Sequence, residues 1–183
     1  MWPFNKKQAM SCQKLAHQFA PDFTKMTVTS CEGYLDQQLL IRSDKIMNKT
    51  ESIKELVLFY FVSCIHGCRI SMKQDVIHFE FVRAFATECG SNLVEHGIFT
   101  SAAEFEQLAK VRLSEYLNAL KSYGDENILG YKLAQKFLVN VGCDPNTIGN
   151  LHFAVASFMK KSNATKEMFD DLQKNYSIER QIT

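Results

Sequence analysis

Only one run in this chain, Leu56-Val57-Leu58-Phe59-Tyr60-Phe61-Val62, has the composition of a buried β-strand. No second run of β-branched, period-two sequence exists to pair with it, and a strand without a partner leaves its backbone donors and acceptors unbonded. The same residues therefore read as helix, and an apolar surface on every side makes that helix the central one. The longest apolar run, Leu56 to Ile65, is about half of the roughly 20 residues that a membrane-spanning helix needs. Ser63 and Cys64 interrupt it, so no membrane span is expected.

Start and stop signals cut the rest of the chain into about seven or eight helical segments. The expected fold is all-α: a single irregular multi-helix bundle over residues 1–183, with loose ends at 1–4 and 177–183. A first helix covers Asn5 to Phe19, with Cys12, Leu15, Ala16 and Phe19 at helical spacing, and Pro21 closes it because proline cannot continue the ladder. Residues 22–32 connect it to a weaker helix over Gly33–Met47, where Leu35, Leu39, Ile46 and Met47 form a rough stripe. Ser52 and Glu55 form a capping box that opens the central helix, and Gly67 offers a left-handed stop.

Ser71 and Gln74 head the next helix, whose wide apolar side holds Val76, Ile77, Phe79, Phe81, Val82, Phe85 and Ala86, with Gly90 as its stop. After a loop at 91–100, Ser101 and Glu104 open the clearest amphipathic helix, with Phe105, Leu108, Ala109, Leu113, Tyr116, Leu117 and Leu120 on its core stripe and Gly124 at its end. Asp125 caps a further helix that carries Ile128, Tyr131, Ala134, Phe137, Leu138 and Val141 and stops at Gly142. Asp144-Pro145 starts another, with Ile148, Leu151, Val155, Phe158 and Met159 as its stripe. A last helix, Ala164 to Tyr176, precedes a polar tail.

Composition narrows the function classes. With 183 residues, 46% of them hydrophobic and 22% charged, the chain can fold without a disulfide or metal staple. Its 21 basic residues are nearly cancelled by 20 acidic ones, so the basic footprint of a nucleic-acid binder is missing and no nucleic-acid partner is expected. The opening Met1-Trp2-Pro3-Phe4-Asn5-Lys6-Lys7 lacks the order of a signal peptide, since its charges follow the apolar residues. A cytoplasmic location follows as the expectation, with the six cysteines reduced and mostly buried.

Cys64, His66 and Cys68, with His78, Glu88, Cys89 and His96 downstream, are the residue types that bind zinc. On a continuous helix Cys64 and Cys68 share a face while His66 points roughly 200° away, so the expectation is structural thiols, no metal and no cofactor. Glu95-His96-Gly97 is the best catalytic-looking segment, because histidine titrates near neutrality, but it has no visible partner. Neither a nucleophile elbow nor a phosphate loop nor a His-Glu-x-x-His motif occurs. Trp2 and Phe4, ahead of Lys6 and Lys7, either anchor a partner or dock on the chain's own core. The expected function is a non-enzymatic protein–protein interaction or regulatory module whose partner is another protein. The alternative is a small-molecule, haem or metal-binding sensor with a pocket lined by some of the fourteen phenylalanines, although five histidines offer no preferred axial ligand.

Overall fold

Strand β1 (Gln8–Ser11) leads directly into α1 (Cys12–Ser30), followed by α2 (Tyr34–Ser43), α3 (Lys49–Ser71), α4 (Asp75–Glu95), α5 (Ala102–Lys121), α6 (Glu126–Asn140), α7 (Ile148–Asn175) and β2 (Tyr176–Glu179). The computed structural model describes residues 7–30, 33–72, 74–121 and 126–179. Among the described residues the chain is the expected all-α bundle, with seven helices and one two-stranded sheet. β1 and β2 pair in parallel, Gln8 opposite Tyr176 and Ser11 opposite Glu179. Parallel strands need a crossover; here the crossover is the entire helical bundle.

The run Leu56–Val62 is helical and central. Every residue from Glu55 to Ile65 is buried, and α3 meets α2, α4, α5, α6 and α7. Around it α1 lies against α4, and α7 lies along α3. The aromatic rings pack on one another: Phe85 stacks on Phe19 at 4.9 Å, and Phe59 stacks on Phe137 at 4.4 Å. Most of the described phenylalanines therefore fill the core with rings.

Several expected boundaries move. Pro21 lies inside α1, on its exposed face, where the His17 carbonyl it cannot serve lies on the wet side of the helix. Burial of Leu15, Ala16, Phe19, Ala20 and Phe23 on both sides of the proline offsets its penalty of about 3 kcal/mol. Gly67 and Gly90 do not stop helices; they lie within α3 and α4 at close crossings. A Cβ at Gly67 would stand 2.3 Å from the Ser162 carbonyl oxygen, and one at Gly90 would stand 3.2 Å from the Ala102 Cα. The segment 91–95 is accordingly the last turn of α4, not a loop, and the chain leaves it through Gly97 at φ 69°. The two helices expected across 144–176 are one, because Ser162 and Thr165 are buried where α7 meets Gly67.

Caps move as well. Gly142, at φ 72°, ends α6 as expected, and Ser101 Oγ accepts the Glu104 amide at 3.1 Å to open α5. Glu104 turns to Thr100 and Lys54, whose hydrogen bonds, Lys54's the strongest, hold its carboxyl down at about 2. Ser71 ends α3 and α4 begins after Gln74. Asp144-Pro145 forms a turn ahead of α7, which starts at Ile148. Gly124 and Asp125, and the side chains of Leu35, Leu117, Leu120 and Ile128, lie outside the described residues.

The cap of α3 is Asn48, whose side-chain oxygen accepts the Glu51 amide at 2.9 Å, while Ser52 sits buried one turn in and donates to the Asn48 carbonyl at 3.2 Å. Asn48→Ala is expected to cost about 1 kcal/mol in a denaturant melt, and more than Ser52→Ala. The reverse order would restore Ser52 as the cap.

Candidate interaction surface

Helical phase disperses most of the residues that carry chemistry. Cys64 and Cys68 are fully buried in α3, while His66, between them, turns toward α7 and hydrogen-bonds Ser162 Oγ at 3.0 Å. His78 is buried and donates from Nε2 to the Ile65 carbonyl at 3.4 Å; burial lowers its affinity for a proton. Cys89 is buried in α4, Glu88 pairs with His17 at 2.9 Å, and His96 is the exposed C-cap of α4. Burial pushes the Cys64 thiol up to about 11 and those of Cys68 and Cys89 well above their usual value, so these groups stay protonated and unreactive. Cys12, Cys64, Cys68, Cys89 and Cys143 are free and buried, and Cys31 lies outside the described residues. Among the described residues no three His, Cys, Asp or Glu side chains group as ligands for one metal ion.

One polar cluster does converge, and the sequence reading missed it. Asp36 of α2 is 3% exposed and Lys161 of α7 is 4% exposed. Tyr60 of α3 donates its hydroxyl to Asp36 Oδ1, Ser157 Oγ lies 3.0 Å from the same oxygen, and Lys161 Nζ lies 3.9 Å from Oδ2. Lys161 also donates to Ser30 Oγ at 3.0 Å and sits 4.6 Å from the centroid of the Tyr60 ring. Buried charges persist only when paired and hydrogen-bonded, and these are. An acid in the first turn of a weak helix reads as a solvated dipole partner, so the sequence carries no signal for this cluster.

A surface groove lies at the end of the bundle where α3 stops and α4 starts. Cys12 Sγ reaches the Ile77 carbonyl at 3.5 Å and the Glu179 carbonyl at 3.8 Å, which ties the root of β1, the first turn of α4 and the end of β2 together. Lys7 donates to the Gln173 carbonyl across the same end. Between these elements runs a groove of about 290 Å³, with Met72, Ile77 and Ile178 as apolar lining and Lys7, Gln74 and Gln173 as polar lining. Val76 and Phe79, expected in the core, are 56% and 66% exposed on α4, because the buried seam of that helix passes through Phe81 and Phe85. Trp2 and Phe4 lie outside the described residues, six and four positions ahead of the start of β1.

Further exposed apolar side chains, Ile41, Ile46, Val139 and Ile148, belong to the C-terminal part of α2 and its following loop, the C-terminal part of α6 and the start of α7. No described helix is long and apolar enough to cross a membrane. No family model matches the chain, and neither a curated protein nor a solved structure matches it.

Proposed function

We propose that this chain is a non-enzymatic, cytoplasmic interaction module that takes an extended segment of a partner protein along the β1–β2 ribbon. What supports the reading is a two-stranded sheet beside a groove of mixed apolar and polar lining, together with two exposed apolar side chains on α4, Val76 and Phe79. In a sheet of two strands each strand has one edge outside the pair, and an added strand can satisfy such an edge with main-chain hydrogen bonds. Alternate side chains of that strand point to one face, which suits them to the Met72–Ile77–Ile178 groove. The reading also takes Trp2 and Phe4 as aromatic anchors for the partner, since they enter the chain just ahead of β1. Five free buried thiols suit the reducing cytoplasm.

Replacing both Val76 and Phe79 by Asp tests this directly. The double variant is expected to keep its melting temperature, because exposed positions contribute little to stability. It is also expected to lose a partner that the wild type captures from its native cells. Equal recovery of the same partner by both proteins would remove this surface from the interface.

A further inference from the structure

The buried cluster divides unevenly among the helices. The two hydroxyls and the ammonium stand on the two longest helices: the Tyr60 hydroxyl on α3, and Ser157 Oγ and Lys161 Nζ on α7. Ser30, at the end of α1, orients Lys161 by accepting a hydrogen bond from its Nζ at 3.0 Å. The carboxylate alone comes from α2, a helix of 10 residues. Helices below about 12 residues are marginal without tertiary support. The support for α2 is thin: Leu39 is its one fully buried apolar side chain among those described, and its N-cap, Gly33, makes no side-chain capping bond. Leu40 is only partly buried against the core, and Arg42 Nη1 donates to Asn150 Oδ1 at 3.0 Å.

Two hydroxyl donors and an ammonium converging in a water-excluded space are the elements of an oxyanion site. We propose that Tyr60, Ser157 and Lys161 form a carboxylate-binding site occupied by the chain's own Asp36. Helix α2 is then a displaceable latch, and a small organic carboxylate that takes the same donors releases it. Occupancy by Asp36 and occupancy by the ligand exclude each other, so binding is coupled to the position of α2. This site is separate from the ribbon surface and stands or falls without it.

Removing the internal carboxylate tests the assignment. Asp36→Ala is expected to melt below the wild type and to regain stability saturably with formate or acetate at constant ionic strength, while chloride gives no such gain. Adding Lys161→Met to that variant is expected to abolish the gain. In the wild type, formate is expected to speed amide exchange in α2 and leave α4 unchanged. An equal response of Asp36→Ala and wild type to formate would overturn the site. Unchanged α2 exchange in the wild type would overturn its displacement. Should Asp36→Ala not fold, Asp36→Asn keeps the shape and is expected to raise α2 exchange about tenfold while α4 is unaffected. A uniform rise across both helices would then refute the latch.

Discussion

Phe85→Ala is expected to lower stability by about 3–5 kcal/mol, a large share of the roughly 5–15 kcal/mol that holds a domain together. The ring is fully buried, and four others surround it: Phe19 at 4.9 Å and Phe23, Phe61 and Phe81 at 5.3 Å each. These rings come from α1, α3 and α4, so a cavity at Phe85 loosens three helices at once and cannot close by a local rotamer change. Leu113→Ala on α5 is expected to cost less, because Leu113 is only partly buried against the core. Guanidinium melts of both variants give the comparison. A loss below about 0.5 kcal/mol for Phe85 would mean that this face of α4 is not the core face.

Gly67→Ala is expected to destabilise by about 3 kcal/mol, the upper end of overpacking costs. Its sign is the informative part. In an open helix interior the same change is favourable by about 1 kcal/mol, since alanine is the better helix former. At Gly67 the new Cβ would meet the Ser162 carbonyl oxygen at 2.3 Å, Thr165 Cβ at 3.0 Å and the Lys166 amide nitrogen at 3.1 Å. Two of those atoms are backbone and cannot rotate away, so α7 must retreat from α3 and give up contacts along the crossing. A stabilised Gly67→Ala would show that the two helices do not approach there.

Gly67 also illustrates how far a single sequence can be read. Glycine serves both a left-handed helix end and a close helix crossing, and local sequence does not separate the two uses. Gly142 follows the first and Gly67 and Gly90 the second, because the deciding contacts, Ser162 and Ala102, are far away in the chain or on another helix. The helical nature of Leu56–Val62, the cap at Ser101 and the burial of Cys64, Cys68 and Cys89 were legible, since each depends on local periodicity or on an ordinary preference of the residue type. The merger of the last two helices was not, because it depends on burial of Ser162 and Thr165 against α3.

The candidate surfaces were harder still. Each ribbon strand has four residues, too few for a period-two signal, and they pair across nearly the whole chain. Val76 and Phe79 sit on a helix with apolar residues around much of its circumference, so phase alone could not place them in water. Asp36 looked like any first-turn acid; only the approach of Tyr60, Ser157 and Lys161 from two other helices gives it a distinct role.

The most direct test of the ribbon as the interaction surface is site-specific photo-crosslinking in the native cell. A photoreactive phenylalanine analogue is placed in turn at Phe79, at Ile148 and at the exposed Gln107. Ile148 is 85% exposed and stands at the start of α7, away from the ribbon elements, so it reports general stickiness of apolar surface. The ribbon surface predicts one recurrent protein adduct from Phe79, lost when Val76 in the same chain is changed to Asp, and no such adduct from Ile148 or Gln107. An adduct that forms equally from all three positions, or from Ile148 alone, would contradict it.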